Sequence, residues 1–270
     1  MNFVAALPMY DLPEERAAVD AAWHQLRDAL RQRGIPAPQD LARRNADLPA
    51  VPGGIRDASG TLIAPDPATL PPEAFDLHVL WRHPALLLGE TCWGPLDRGL
   101  KPFVHVVAQN SYDGLTGGDG PLYRSAIVER RHAGDAADIS PAHAAAPILP
   151  PLAGRRFAFN AADSRSGYLS LVRDLAARGT SMALFSRTIQ TGSHLSSLHR
   201  VAQGAADLAA IDCRSWALAQ RHHPSLAAGL RVTGWTSPST GLPFICSASL
   251  PEDVRRTVVQ AARCWQPASR

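Results

Sequence analysis

Two short polar segments, each opening an amphipathic helix pattern, and one apolar run that stops on a carboxylate constrain this chain more than any other feature. The first segment is NAADSRSGY at residues 160–168, directly after the apolar run 156–159. Leu169, Val172, Leu175 and Ala176 then recur at helical spacing, and Gly179 stands where a C-terminal cap belongs. Ser164 or Ser166 suits the N-cap, and Gly167 lets the backbone come close to whatever binds there. The second segment is Thr191-Gly192-Ser193-His194, ahead of Leu195, Leu198, Val201 and Ala202 on one helical face. Each start offers free N–H groups and the positive end of a helix dipole, a ready site for an anion. Residues 206–212 (ADLAAID) read as a buried strand whose apolar run ends on Asp212. Hydroxyls, amides, one histidine and one acceptor make a shell suited to a small oxyanion. Any one start taken alone is explained as ordinary capping.

Composition and motif absences narrow the field. The net charge is +3, from 27 Lys+Arg against 24 Asp+Glu, with no basic block, which argues against a dedicated nucleic-acid surface. The glycine-rich loop GLTGGDG at 114–120 lacks the lysine-ended phosphate cradle of nucleotide-binding loops, so a turn is expected there. Nothing approaches the ~18 apolar residues of a membrane span. Cys92, Cys213, Cys246 and Cys264 form no C-x-x-C pair, and free thiols are expected. His194 and His199 miss the spacing that puts two ligands on one helix face, so neither metal nor cofactor is expected. His132 and His143 fall in an alanine- and proline-rich surface connection over 132–151. A Cys92 nucleophile served by His194 and Asp212 is the competing chemical idea, but nothing near Cys92 calls for a thiolate, and no catalytic residue is expected.

Along the chain, strand-like runs alternate with helix-like ones, which indicates an α/β protein with mainly parallel sheets. A short strand at residues 3–7 precedes Asp11, Pro13 and Glu14, a capping pattern for a helix carrying Val19, Trp23, Leu26 and Leu30 on one face. Residues 36–70 read as loop with a hairpin near 55–63, and 77–80 as the start of a strand or a short helix. Strands are expected at 102–108, 123–128, 230–233 and 242–247, with a helix after Asp212 and a last helix that buries Val254 and Val258. Beyond Trp265 the tail is expected to fray.

The SRSGY at 164–168, TGSH at 191–194 and AID at 210–212 occur in the order found in a known family. With LPMYD at 7–11, GETC at 89–92, LYRSAIV at 122–128 and GLPF at 241–244, they make the chain resemble the phosphate/phosphite/phosphonate-binding proteins of ABC transporters. That resemblance implies the two-lobed type 2 periplasmic-binding-protein fold, with ligand in the cleft between lobes. It divides the chain into residues 1–104 with 213–270, and 105–212. It implies a non-enzymatic binder of a small oxyanion, with an ABC transporter permease as partner. Tyr123, Ser125, Ser164, Ser166, Gly167, Thr191, Ser193, His194, Asp212 and Thr91 would meet the ligand, with Trp93 a further neighbour of the cleft mouth. Arg165 stands where the family tends to carry a small residue, and it either reaches a second charge on a larger ligand or points to solvent. Residues 1–30 hold nothing that reads as an export signal, so the chain as written is expected in the cytoplasm, or in the periplasm if the true start includes a leader. A cytoplasmic sensor or small-metabolite enzyme on the same scaffold is the alternative.

Overall fold

Strand residues near the N-terminus sort by parity. Ala5 and Leu7 join one apolar cluster, Val4 and Ala6 another, so both faces of the first sheet are covered. The computed structural model describes residues 2–141 and 146–263, together with Trp265. The expectations for His143, Cys264 and the tail beyond Trp265 fall outside the described residues. The chain divides into two compact units, Met1–Asn110 with Leu242–Arg270, and Ser111–Gly241.

The first unit holds a four-stranded sheet in the order Val4–Ala6, Leu86–Glu90, Pro243–Ser247, Val104–Gln109. The first pair is parallel and the last strands run antiparallel. The helix Arg16–Gln32 places Trp23, Leu26 and Leu30 on Leu87, Phe244 and Cys246, as its apolar spacing requires. Leu80, Trp81, Leu96 and Leu100 cover the other face. The hairpin expected near 55–63 is Ile55–Arg56 with Leu62–Ala64, and 77–80 resolves into a helix, Leu77–Arg82, capped by Asp76. Asp11 does not cap. Its carboxylate accepts two hydrogen bonds from Arg43, at 2.6 and 3.0 Å, because a bidentate guanidinium pair outweighs a backbone cap.

The second unit is built on five strands in the order Arg187–Gln190, Arg156–Phe159, Leu208–Asp212, Ser125–Arg130, Leu230–Trp235. The first three run parallel, and Ser125–Arg130 runs antiparallel to both its neighbours. Phe157, Phe185, Leu171, Leu175 and Leu208 form the core on one face, with the Phe157 and Phe185 rings 5.0 Å apart. The expected division at 104/105 and 212/213 is therefore corrected. Val104–Gln109 pairs with Pro243–Ser247 in the first unit, and Leu230–Trp235 is the edge strand of the second. Hydrogen-bonded strand pairing decides which unit a segment joins.

Trp235 ties this edge down. Its Nε1 donates to the Ile139 carbonyl at 2.6 Å, and its backbone bridges to Ile148. Gly117 fits against the ring with φ at +92°, where an added Cβ would stand 2.4 Å from Trp235 Cζ3. Gly117→Ala combines left-handed backbone strain with overpacking, and is expected to destabilise the protein by about 2 kcal/mol or more. Urea unfolding followed by tryptophan fluorescence checks this, and an unchanged midpoint would contradict it.

Candidate functional site

The Arg156–Phe159 strand is parallel to Leu208–Asp212, so the turns leaving the two strands emerge at the same end of the sheet. Ser164 is extended and caps the first helix start, its Oγ accepting from the Gly167 N–H at 3.1 Å. The start is a wide i→i+5 turn over Arg165–Leu169, followed by the α-helix Ser170–Ala176. The extra residue in that turn rotates the helix. Ser170, Leu171, Asp174 and Leu175 are buried, whereas Leu169 and Val172 are half-buried and Ala176 is exposed, so the expected apolar face is corrected. Gly167 leaves room for a neighbour in the chain itself, since an added Cβ would lie 1.8 Å from Asn160 Oδ1.

At the second start Ser193 caps the helix His194–Ala202, accepting from Ser196 N–H at 3.0 Å. Thr191 Oγ1 lies within hydrogen-bonding distance of the Phe159 and Ser193 carbonyls and 2.7 Å from Ser197 Oγ, so it braces the loop. The His194 ring spans the gap between the starts. Its Nε2 is 3.0 Å from Ser166 Oγ and 3.2 Å from Asp212 Oδ2. Asp212 is the buried end of its strand, and its Oδ1 accepts from Ser215 N–H at 2.9 Å, capping the helix Cys213–His222. Ser125, opposite Asp212 in the antiparallel register, donates from Oγ to the Ser166 carbonyl at 3.0 Å.

Ser164, Ser166, Gly167, His194, Asp212 and Ser125 thus form one hydrogen-bonded cluster. Thr191 and Ser193 stand beside it with their hydroxyls engaged in the loop and cap. Tyr123 is buried and stacks on Tyr112 at 5.2 Å, and Arg165 is half-buried in the wide turn. Thr91 belongs to the first unit, where it is fully buried and its Oγ1 has no hydrogen-bond partner among the described residues. Trp93 is also in the first unit, packed against its core. Two residues escaped the sequence reading. Asn160 was visible as a polar residue at a strand end, directly ahead of the first start. Thr236, whose Oγ1 accepts from Ser125 N–H at 3.0 Å, carried no motif and is placed only by strand pairing.

Burial pushes the His194 pKa below the ordinary histidine range, while Asp212 and the Ala210 carbonyl act the other way. A neutral ring follows at neutral pH. One nitrogen faces both Ser166 and Asp212, whereas a proton relay needs the hydroxyl and carboxylate on opposite ring nitrogens. Cys92, Cys213 and Cys246 are free and buried, and desolvation holds the Cys213 thiol up to about 12 and the Cys246 thiol up to about 11. Among the described residues no cluster of His, Cys, Asp and Glu could hold a metal ion, and no helix is long and apolar enough to cross a membrane.

The depressed His194 pKa has a consequence for stability. Below the unfolded value of 6.5 the unfolded chain takes up a proton that the folded ring resists, so stability is lost as pH falls through that window. His83 is shifted in the same direction by burial, so the His194 share is read as a difference. The fall in stability between pH 7 and 5 is expected to be shallower in His194→Gln than in wild type. Equal slopes would contradict a buried neutral ring.

Over residues 97–263 the chain matches the family described as ABC transporter, phosphonate, periplasmic substrate-binding protein. No curated protein matches the chain in sequence. Solved structures share its fold, among them the following three. PhnD1 of Prochlorococcus marinus in complex with methylphosphonate superposes with a TM-score of 0.61 at 14% identity, covering 96% of this chain and 83% of that one. A Xanthomonas citri protein bound to chloride gives 0.59 at 14%, covering 96% and 82%. A binding-protein component of an ABC phosphonate transporter from Pseudomonas aeruginosa gives 0.56 at 15%, covering 96% and 74%. The α/β architecture is that of the type 2 periplasmic binding proteins, and the chain belongs to the phosphonate substrate-binding protein family of ABC transporters.

Proposed function

We propose that this protein binds a small tetrahedral oxyanion that keeps an ionisable hydroxyl, namely phosphate, phosphite or an organophosphonate, and presents it to an ABC transporter permease. The observation that carries this reading is the contact of Ser166 with His194 and of His194 with Asp212 beside the turn capped by Ser164. A carboxylate only accepts, so a His194 Nε2–H turned toward Asp212 leaves Ser166 free to donate its own proton to an anion. The amides of the two helix starts add donors without adding a mobile charge. Ser125, Tyr123, Thr191 and Ser193 complete the ligand set proposed within this unit, the first through its hold on the Ser166 carbonyl. The role is binding without turnover. Support comes from the single shared ring nitrogen and from thiols held protonated by burial. Delivery to a permease requires the periplasm, as the family description has it. Fractionation of cells expressing the native gene separates this from an intracellular sensor.

Calorimetry on ligand-free protein with phosphate, phosphite and methylphosphonate tests the reading directly, and no heat with any of them would refute it. Ser166→Ala is expected to weaken binding by about 1–3 kcal/mol, with a smaller change in thermal stability. A loss of stability without a loss of affinity would instead mark the serine as structural.

Asp212 sets the choice of anion. Phosphonate can place a proton between itself and the carboxylate, whereas sulfate has none to give. Wild type is expected to prefer methylphosphonate to sulfate, and Asp212→Asn to narrow the ratio by roughly tenfold or more, since an amide can donate. Competition binding at two pH values measures this. An unchanged ratio would leave Asp212 only its part as the cap of the following helix.

A further inference from the structure

One residue outside the proposed ligand set touches both helix starts. Asn160 directly follows the Arg156–Phe159 strand. Its main-chain carbonyl accepts from the Gly192 N–H at 2.9 Å, which anchors the loop leading into the helix His194–Ala202. Its side chain reaches the other way. A Cβ built on Gly167 would stand 1.8 Å from Asn160 Oδ1, 2.9 Å from its Cγ and 3.3 Å from Ser164 Oγ. The carboxamide oxygen therefore points end-on at the space beside the Cα of the residue whose N–H closes the Ser164 cap. The backbone of Gly167 has no positive φ, so space alone, and not conformation, calls for glycine there. Asn160 Oδ1 is sealed from solvent and has no hydrogen-bond partner among the described residues. A buried acceptor without a donor is unfavourable, and a site that keeps one needs a reason.

We propose that Asn160 is a positioning residue that sets the spacing between the two helix starts. Its carbonyl fixes the second and its side chain wedges the first, so that the amides and hydroxyls of both can converge on one anion. The unsatisfied oxygen is the consequence of choosing a side chain for its shape and position. An apolar residue of that size would avoid the orphan, but its branched or bulkier end would press on Gly167. The inference rests on the oxyanion reading for what the spacing serves, but the wedge itself can be tested without ligand.

The experiment uses Asn160→Ala, Gly167→Ala and the double variant of the full chain, with methylphosphonate as probe. Asn160→Ala is expected to lose at least tenfold in affinity while its Tm stays near that of wild type. In the ligand-free state its Gly192 amide is expected to exchange at least tenfold faster, because the wedge that steadies the strand end is gone. Gly167→Ala, which collides with the carboxamide, is expected to lower both Tm and affinity. The double variant is expected to regain the Tm of Asn160→Ala, since the collision partner has been removed, but not the affinity. Wild-type affinity in Asn160→Ala, unchanged Gly192 exchange, or a double variant as unstable as Gly167→Ala would each overturn the proposal. If wild type binds none of methylphosphonate, phosphate and phosphite, the functional reading fails, and the wedge then stands or falls on Gly192 exchange and the Tm cycle; if it binds only phosphate or phosphite, that anion replaces methylphosphonate as the probe. Should Gly167→Ala not fold, recovery of folding in the double variant supports the wedge, and continued failure to fold overturns it.

Discussion

The second unit depends on where one carboxylate ends up. Leu208–Asp212 is the central strand of its sheet, held parallel to Arg156–Phe159 and antiparallel to Ser125–Arg130. Its last residue is paired with Ser125 and cannot shift along the sheet without breaking that pairing. One Asp212 oxygen caps the next helix, which is ordinarily worth about 1 kcal/mol. The other meets His194, whose ring in turn meets Ser166. A hydrogen bond with a charged partner contributes about 1.5–3 kcal/mol, so the two contacts of Asp212 weigh comparably. Strand end, helix cap and His194 contact are three uses of one fixed residue.

The same carboxylate limits what the cluster can hold. Two like charges about 4 Å apart repel by about 4 kcal/mol at an effective dielectric of 20. Each charge-assisted donor from a hydroxyl or amide offsets about 1.5–3 kcal/mol of that. Two such donors together contribute about 3–6 kcal/mol, much of which goes to offset the repulsion, and a proton shared between ligand and carboxylate changes the sign of that opposing contribution. Burial keeps the His194 ring neutral, so it does not supply the missing positive charge. Discrimination among anions is thus a matter of protons more than of net charge.

Much of this was legible in the sequence because it rests on local rules. Ser164, one of the two serines suited to the first cap, takes it, Ser193 caps the helix that follows the second polar start, and Asp212 ends its strand as the run ADLAAID suggested. The double use of Asp212, as helix cap and as partner of His194, was not legible, since local spacing does not show that each of its two oxygens meets its own partner. The wide turn at Arg165–Leu169 was hidden as well. No residue type marks an i→i+5 turn, and one extra residue moved burial from Val172 and Ala176 to Leu171 and Asp174. Asn160 escaped because its contact with Gly167 spans a loop whose path depends on the tertiary fold. Asp11 misled in the opposite way. A local capping pattern lost to a guanidinium 32 positions away, which no window of neighbouring residues contains.

The division into units follows the same logic at a larger scale. Gln109 pairs with Pro243, and both the main-chain N–H and the side-chain amide of Asn110 donate to the Leu242 carbonyl at 3.1 Å. The chain leaves the first unit and returns to it through neighbouring, hydrogen-bonded strands. The Asn110 amide also donates to Glu90 at 2.7 Å, and Glu90 accepts from Met9 N–H at 3.2 Å, so segments at the ends of all four strands of the first sheet meet at that junction. Closing a loop is a slowly growing cost, about 0.6 kcal/mol for each doubling of its length. Once Asn110 and Leu242 are held together, an excursion of a whole unit is hardly more expensive than one of a few dozen residues. The boundary therefore falls where pairing closes the loop, at Asn110 and Leu242. No local pattern in the sequence marks that place, because a buried amide contact of this kind needs both strands already in place.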